Sequence, residues 1–357
     1  MKAVIYHAYN DIRIEEMPIP TISEQELLVK VQGCGLCGSD ILKVQQHSPP
    51  PVVLGHELTG TIVAKGRDVA GFSLGERVMV AHHVPCGACH YCRHGNYSMC
   101  ASFKDSNIDP CGFAEYIRVP AAHVQWTTLA LPRTLSAEEG SFIEPLACCV
   151  RAVERTPLMP GDSVVVIGLG SIGLLMLQAA RMTNPHTRTG VRVFGVDIAP
   201  ERLQLARELG ADGVFLASTS DEEHELYAQL APSTEGRGAD AVILTAVGAR
   251  PFKQALNCVR KGGAIHLFAA RAGAVPIDLE TIYQRELTIL STYSSSPAAL
   301  RTARDLLASG KVRVDGIISH RLPLDRFAEG LTLMQERRAL KVYFKIAGET
   351  SDGQYTV

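Results

Sequence analysis

The stretch Val164–Gly173 reads Val-Val-Val-Ile-Gly-Leu-Gly-Ser-Ile-Gly and decides the fold of this chain. Its valines and isoleucine are β-branched, which predicts a buried strand. Gly168, Gly170 and Gly173 then follow with the spacing G-x-G-x-x-G. Beyond them, apolar residues recur at helical period as far as Ala180. A strand, a glycine turn and a helix seat the pyrophosphate of a dinucleotide, because the helix presents unpaired N–H groups to the anion. The glycine pattern alone also occurs as a plain turn between a core strand and a helix.

An acidic residue at the end of the next predicted strand, Arg192–Asp197, supports dinucleotide binding. Such a residue holds the adenosine ribose, usually ~20 residues after the glycines, and the polar loop Asn184–Gly190 explains why Asp197 lies farther away. Because a carboxylate repels a 2′-phosphate, we expect NAD rather than NADP. The alternative is that Asp197 only caps the helix that begins at Pro200. The predicted cofactor-binding residues are Gly168, Gly170, Ser171, Ile172, Gly173, Asp197, Arg202, Thr245, Val247, Phe268 and Thr292.

Length and composition exclude several classes of protein. The 357 residues suffice for two domains, and a formal net charge of −2 gives no electrostatic reason to expect nucleic acid as a partner. The N-terminal Met1–Tyr6 reads as a strand rather than a secretory signal. The one long uncharged run, Val164–Ala180, contains the glycine turn, so we expect no membrane span. The expected location is cytoplasmic.

Four of the ten cysteines share one short window, with the pattern Cys86-x2-Cys89-x2-Cys92-x7-Cys100. Cysteines three apart in a loop do not readily form unstrained disulfides with each other, but they converge well on a metal. Four thiolates give a closed tetrahedral zinc site, which is structural because it has no position for substrate. An iron–sulfur cluster is a weaker alternative, since the proline that often follows the last cysteine is missing. A nucleic-acid-binding zinc ribbon is another, but the loop has few basic neighbours.

A second, dispersed set of residues offers the mixed ligands of a catalytic zinc. Cys37 lies in Cys-Gly-Ser-Asp after a predicted strand, His56 lies in Gly-His-Glu, and Glu144 precedes Pro145. A lone cysteine is usually a small core residue and a lone histidine is usually hydrogen-bonded, so each signal is weak by itself. Together, a thiolate, an imidazole and a carboxylate leave a fourth coordination position for water or a substrate oxygen.

The pattern of predicted elements divides the chain into two domains. Short strands dominate up to about residue 80, whereas strands and helices alternate from about residue 151, which predicts a doubly wound parallel sheet. The chain then returns to short strands and one helix. We therefore expect an α/β fold with a β-rich domain of residues 1–150 and 294–357, a structural zinc lobe at 85–101, and a dinucleotide-binding domain of residues 151–293.

These motifs together resemble the zinc-dependent medium-chain dehydrogenase/reductase family over essentially the whole chain. The segments that carry the resemblance are Cys37–Asp40, Gly55–Val63, Gly75–Val78, the four-cysteine lobe and Gly168–Gly173. Within the family, Ile143–Leu146 is similar to the polyol, or sorbitol-type, branch. The resemblance implies a GroES-like catalytic domain, two zinc ions per subunit, and a homotetramer or homodimer.

The resemblance also implies roles for individual residues. Cys37, His56 and Glu144 would hold the catalytic zinc, and Glu57 would be an adjacent or exchanging ligand. Ser39 is the candidate for passing the substrate proton outward. The chain departs from the family at Leu42, where many polyol enzymes have a relay histidine, at Cys111, where relatives usually have glycine, and at the doublet Cys148–Cys149.

The predicted function is therefore reversible oxidation of a secondary hydroxyl on a polyol or sugar-type substrate to a ketone, with zinc and NAD. A threonine-type amino-alcohol dehydrogenase is the alternative among enzymes, and a non-catalytic zinc- and NAD-binding protein is the alternative outside them. The predicted substrate pocket draws on polar segments. Three cations are candidates to meet a phosphate, although a solvated surface charge is the commoner role of such residues. The segments are Gln45–Pro51, Phe103–Asn107, Glu144 and Thr292–Ser294, and the cations are Lys43, Lys104 and Arg285.

Overall fold

The fold is described from a computed structural model that covers residues 1–8, 11–45, 52–182, 190–217, 225–246, 248–269 and 274–346. The chain forms two compact units. The first comprises Met1–Glu144, Ser296–Gly310 and the chain from Val314 onward, and the second comprises Pro145–Ser295 with Lys311–Arg313. The predicted domain limits stay a prediction. Within the described residues, no helix is both long and apolar enough to cross a membrane.

Short strands are spread over both units of the described chain. They are β1 Lys2–Ala8, β2 Asp11–Glu16, β3 Leu27–Gly35, β4 Val52–Val53, β5 Glu57–Lys65, β6 Arg77–Val80, β7 Tyr116–Val119, β8 Thr128–Ala130, β9 Ser163–Ile167, β10 Arg192–Asp197, β11 Gly213–Leu216, β12 Ala239–Leu244, β13 Val259–Leu267, β14 Thr288–Ser291, β15 His320–Pro323 and β16 Val342–Lys345.

The longest helices of the described chain have 12 or 13 residues and occur in both units. The helices are α1 Gly38–Gln45, α2 His90–Arg93, α3 Ala121–Trp126, α4 Ala137–Gly140, α5 Ile143–Arg155, α6 Ser171–Met182, α7 Pro200–Glu208, α8 Glu225–Leu230, α9 Ala249–Cys258, α10 Leu279–Gln284, α11 Pro297–Ala308 and α12 Phe327–Gln335. Single 3-10 turns occur at Tyr97–Met99, Ala101–Lys104, Ala231–Thr234 and Leu324–Arg326.

The second unit is built on a parallel sheet of six strands in the order β11-β10-β9-β12-β13-β14. This order is 3-2-1-4-5-6 in chain sequence, which is the doubly wound topology that the alternating pattern predicts. Strand β9, the valine run, is buried and lies between β10 and β12. After it, α6 begins at Ser171, and a Cβ at Gly173 would lie 1.8 Å from the carbonyl oxygen of Gly168. Only glycine therefore allows the helix to start so close to the turn.

The sixth strand, β14, has no counterpart among the strands that the sequence predicts. Its residues Thr288–Ser291 are partly exposed, because the strand lies at the edge of the sheet and, within the described residues, pairs with β13 alone. A short edge strand carries no continuous apolar run, so the pattern that reveals β9 is missing here. The position of β14 matters because Thr292, a predicted cofactor residue, follows it directly.

The first unit is β-rich. Its seven-stranded sheet runs β15-β16-β3-β5-β6-β8, with β7 paired to β3, and a smaller sheet has the order β2-β1-β4. Buried side chains such as Leu27, Val29, Ile62 and Phe344 form its hydrophobic core. Helix α4 begins with a capping box, in which Ser136 accepts from the Glu139 N–H and the Glu139 carboxylate accepts from Ser136.

Cys111 has a backbone conformation that explains its unusual place in the sequence. Its φ is 131°, within the region that L-residues rarely adopt and that glycine adopts easily. The thiol is buried, and its Sγ lies 3.5 Å from the carbonyl oxygen of Ile108. This backbone conformation suits the glycine that relatives usually have at this position. The cysteine that replaces it here therefore stores backbone strain.

Candidate metal centres and cofactor site

Strand pairing brings three of the predicted catalytic residues together in the first unit. Strands β3 and β5 are antiparallel, and Gly35 pairs with Glu57. The end of β3 and the start of β5 are therefore neighbours, which places Cys37 close to His56 and Glu57. The ligand atoms of these three side chains all lie within 4.8 Å of one another. Thiolate, imidazole and carboxylate form a ligand set that suits zinc.

Asp40 orients the imidazole of His56, and the sequence analysis missed this role. Its Oδ1 lies 3.3 Å from His56 Nδ1, and its Oδ2 accepts from the Cys37 N–H at 3.2 Å. A zinc-binding histidine usually has a carboxylate beside its second ring nitrogen, and this ion-pair contact at Nδ1 leaves Nε2 for the metal. The signal was present in the sequence, since Asp40 completes Cys-Gly-Ser-Asp.

The electrostatics of the cluster favour a positive charge. Burial alone would lower the pKa of His56, but the charges of Asp40 and Cys37 outweigh burial and raise that pKa well above its usual range. A divalent cation held by the same side chains would supply the charge that these surroundings stabilise. The residues present therefore fit a zinc ion.

Ser39 lies beside two of the candidate zinc ligands. Its hydroxyl Oγ is 3.3 Å from Cys37 Sγ and 3.4 Å from His56 Nε2. The side chain lies at the first turn of α1, whereas Leu42, at the family's relay position, is partly buried on the same helix. Ser39 thus touches two candidate ligands, and its role in proton transfer stays a prediction.

Glu57 has a buried partner that the sequence does not reveal. Its Oε2 forms an ion pair with Nζ of Lys341, which precedes β16. Burial alone would lower the pKa of Lys341, but the charge of Glu57 outweighs burial and raises it. Lys341 also lies 5.9 Å from the centre of the Phe142 ring. One oxygen of Glu57 is thereby held by a cation of the chain itself.

Glu144 is not part of the three-residue cluster. It is buried in the first turn of α5, and the described group of converging ligand atoms contains Glu57 but neither Glu144 nor Cys148. Its role as a zinc ligand therefore stays a prediction.

Two consecutive histidines after β6 are further residues that the sequence analysis missed. The His82 ring lies 4.4 Å from the His56 ring and 3.7 Å from the His83 ring, and His83 lies 4.8 Å from Phe103. Burial lowers the pKa of His82 well below its usual range and that of His83 to about 3, so both rings are neutral. The Nδ1 atoms of both are buried without a hydrogen-bond partner in the described part of the chain.

The four-cysteine lobe is the second candidate metal centre. The sulfur atoms of Cys86, Cys89, Cys92 and Cys100 all lie within 4.8 Å of one another. Backbone N–H groups, those of Ala88 and Cys89 first, lower the pKa of Cys86 to about 6, which favours a thiolate. Burial raises the pKa of Cys92 to about 12, so this thiol needs a bound cation to become a ligand.

The predicted cofactor residues of the described chain lie at or beyond the carboxyl ends of the parallel strands in the second unit. A Cβ at Gly170 would meet no heavy atom within 4 Å, so the turn leaves open space for a ligand to approach the backbone. At the end of β10, Asp197 accepts from the Leu169 N–H at 2.6 Å and lies 3.7 Å from Arg202 Nη1. Ser171 and Ile172 begin α6, while Thr245, Phe268 and Thr292 follow β12, β13 and β14. Val247 lies outside the described residues, as do residues 46–51 of the predicted substrate pocket.

Comparison with known proteins gives two matching family models. The alcohol dehydrogenase GroES-like domain matches residues 23–129, and the zinc-binding dehydrogenase domain matches residues 171–309. The expected fold class, a GroES-like β-rich domain with a doubly wound dinucleotide domain, is confirmed.

Individual relatives cover nearly the whole chain. A sorbitol dehydrogenase of Halalkalibacterium halodurans is 34% identical over 96% of this chain and 98% of its own. An L-threonine 3-dehydrogenase of Bacillus velezensis is 31% identical over 92% of this chain and 94% of its own. A solved structure from Sinorhizobium meliloti 1021, a candidate zinc-binding dehydrogenase bound to NADP, matches with a TM-score of 0.85 and 31% identity over 97% of this chain and 99% of its own.

Proposed function

Because the chain belongs to the zinc-dependent medium-chain alcohol dehydrogenase superfamily, in its sorbitol dehydrogenase-like branch, we propose that it oxidises a polyol or sugar-type substrate. The reaction converts a secondary hydroxyl reversibly to a ketone, and NAD accepts the hydride. The observation that carries this proposal is the convergence of Cys37, His56 and Glu57 beside the carboxylate of Asp40.

Each side chain of the proposed metal site has a separate role. A zinc ion supplies Lewis acidity, which lowers the pKa of a bound hydroxyl. Cys37, His56 and Glu144 would hold the ion, with Glu57 as an adjacent or exchanging ligand. Asp40 keeps the His56 ring in the tautomer whose Nε2 lone pair is available. Ser39, whose hydroxyl touches Cys37 and His56, passes the substrate proton toward solvent.

NAD rather than NADP is supported by Asp197. Its carboxylate is fixed by the Leu169 N–H and, at 2.9 Å, by the Ala199 N–H. A 2′-phosphate on the ribose would meet this negative charge, whereas a 2′-hydroxyl can donate to it. The nearby Arg202, whose Nη1 lies 3.7 Å from Asp197, offsets part of the charge. The Sinorhizobium structure, which holds NADP, makes this comparison necessary.

A polyol is favoured over threonine by His82 and His83. These two neutral imidazoles, with the His82 ring 4.4 Å from the His56 ring, place uncharged hydrogen-bonding groups beside a proposed zinc ligand. Threonine carries an ammonium and a carboxylate, which need charged or multiply hydrogen-bonding partners. The threonine dehydrogenase relative keeps this second candidate in the substrate screen.

We propose that the four-cysteine lobe holds a structural zinc. We also propose that the protein is cytoplasmic and that its subunits form a homotetramer or homodimer. The resemblance to the family supports this assembly, and light scattering of the purified protein tests it.

One screen tests the proposed function. Purified protein is assayed for reduction of NAD and of NADP over polyols, inositols, sugar phosphates and threonine, with zinc measured on the same sample. We expect turnover of a polyol or sugar-type substrate with NAD, and two zinc ions per subunit. Turnover of threonine alone would favour the second candidate, and no turnover with any substrate in a fully zinc-loaded sample would favour a non-catalytic protein.

A further inference from the structure

A buried hydrogen-bond chain runs beneath the carboxyl edge of the parallel sheet in the second unit. His266 on β13 is fully buried, and its Nδ1 lies 2.8 Å from Thr156 Oγ1 while its Nε2 lies 3.0 Å from Thr292 Oγ1. Both threonines are buried as well. A chain of polar groups in the core of a sheet is tolerated only when its members are fully hydrogen-bonded.

The direction of the chain follows from counting protons. The Thr156 hydroxyl donates to the Ala152 carbonyl at 2.9 Å, so its oxygen accepts from Nδ1–H of His266. A neutral imidazole then has no proton on Nε2, which accepts from the Thr292 hydroxyl. The opposite assignment would give up the bond to Ala152 and make two bonds instead of three. Burial lowers the pKa of His266 to about 4, in agreement with a ring that carries a single proton.

This proton arrangement limits the hydrogen bonds that the Thr292 hydroxyl can make. Because its one hydroxyl proton is committed to His266, the Thr292 oxygen can only accept a further hydrogen bond. A partner for this oxygen must therefore carry an N–H or O–H group.

The position of Thr292 indicates which partner that is. Strands β12, β13 and β14 lie on one side of β9, and β10 with Asp197 lies on the other. In a sheet of this order, the half with the acidic residue takes the adenosine end and the other half takes the second mononucleotide. Thr292 follows β14 at the carboxyl edge of that second half.

We propose that His266 is a positioning residue that turns the Thr292 hydroxyl so that its oxygen accepts an N–H of the nicotinamide carboxamide. The inference rests on the proposed function, since it requires that the protein binds a nicotinamide dinucleotide. Fixing the carboxamide restricts rotation of the nicotinamide ring and so helps to orient the face that accepts hydride.

Binding measurements on the whole protein test the proposal without relying on turnover. The ligands are NADH, ADP-ribose, which lacks the nicotinamide, and the reduced 3-acetylpyridine analogue, whose acetyl group keeps the carbonyl but has no N–H. The variants are Thr292→Val, which removes the hydroxyl at constant shape, and Thr292→Ser, which keeps it. His266→Phe removes the acceptor for the hydroxyl proton, and His266→Gln offers an amide oxygen in its place.

We expect Thr292→Val to weaken NADH binding about 5- to 10-fold, the effect of one hydrogen bond. Binding of ADP-ribose and of the acetylpyridine analogue should change less than about twofold. Thr292→Ser should bind all three as the wild type does. His266→Phe should show the same selective loss for NADH, and His266→Gln should recover part of it. The threonine variants keep the test valid if His266→Phe does not fold.

Several results would overturn the proposal. One is NADH binding to Thr292→Val at wild-type strength, and another is an equal loss for NADH and ADP-ribose. An equal loss for NADH and the acetylpyridine analogue would show that Thr292 donates to the carbonyl, which contradicts the assigned direction. A wild-type protein that binds neither NADH nor ADP-ribose would overturn the proposed function, and this inference with it.

Discussion

Lys341 and Glu57 form an ion pair in which the two side chains are only 4% and 1% exposed to solvent. Lys341 precedes β16, Glu57 begins β5, and both strands pair with β3. The pair neutralises a carboxylate that also belongs to the group of candidate metal ligands. Lys341 is therefore the cation that the chain itself provides as a partner for Glu57.

Removing the lysine leaves a buried charge without its partner. We expect Lys341→Met to lower the free energy of unfolding by about 3–5 kcal/mol, as breaking a buried ion pair does. The double variant Lys341→Met/Glu57→Gln should recover much of the loss, because it removes the orphaned charge as well. Urea denaturation measures both, and Lys261→Met, at an exposed position, is the control. Equal stability of the wild type and Lys341→Met would show that the pair contributes nothing.

Asp40 should act through the metal rather than through the fold alone. Asp40→Asn weakens the hold on the His56 tautomer, and loss of such a partner typically costs 10–100-fold in metal affinity or activity. Zinc retention against a chelator and kcat/KM measure the two effects, with the exposed Asp68→Asn as the control. If Asp40→Asn retains zinc and activity like the control, then Asp40 does not position the ligand.

The backbone strain at Cys111 leads us to predict that glycine is more stable than alanine at this position. Cys111→Gly should be more stable than Cys111→Ala by about 1 kcal/mol, because alanine keeps a Cβ at a φ of 131° and glycine does not. Both variants lose the same buried thiol, so their difference isolates the backbone. Thermal or urea denaturation of the two proteins provides the comparison, and a more stable alanine variant would refute the strain.

We expect acid to lower the folding stability of the second unit, because Asp240 becomes protonated. Burial alone would raise the pKa of Asp240, but the hydrogen bond from Arg260 and those from Ser163 lower it. Because the folded-state pKa lies below the unfolded value of about 3.9, the stabilisation is complete above about pH 4 and is lost as the pH falls through the folded-state value.

The measurement compares the wild type with Asp240→Asn by denaturant unfolding between pH 6 and pH 3. The difference should be about 1.5–3 kcal/mol at pH 6, the range for hydrogen bonds to charged groups, and should shrink toward pH 3. Asp315→Asn, at an exposed position, should show no such trend. A difference that stays constant over this range would contradict the assignment.

The sequence predicts those parts of the molecule that depend on local pattern. The glycine turn after β9, the strand that ends at Asp197 and the four-cysteine spacing each lie within a short window, and each is found where it was expected. The grouping of Cys37 with His56 needed the register of β3 on β5, which resemblance to a family supplied in place of geometry.

The rest depends on contacts between distant segments. Lys341 reaches Glu57 only because β16 pairs with β3 beside β5, and nothing in the residues around Lys341 indicates a buried partner. His82 and His83 look like ordinary polar residues before the cysteine loop, and only the structure shows the His82 ring against His56 and the His83 ring against His82. Strand β14 escapes prediction because it lies at a sheet edge, where burial imposes no apolar pattern.

Zinc content measured together with turnover tests the metal-centred reaction most directly. Cys37→Ser and Cys100→Ser are the matched pair, because each replaces one thiol in a different cluster. We predict that Cys37→Ser retains one zinc per subunit and loses at least about 100-fold in kcat/KM. Cys100→Ser should also lose one zinc, but it should lose stability and retain its catalytic zinc. Full turnover by Cys37→Ser, or a zinc content unchanged by the substitution, would contradict the proposed site.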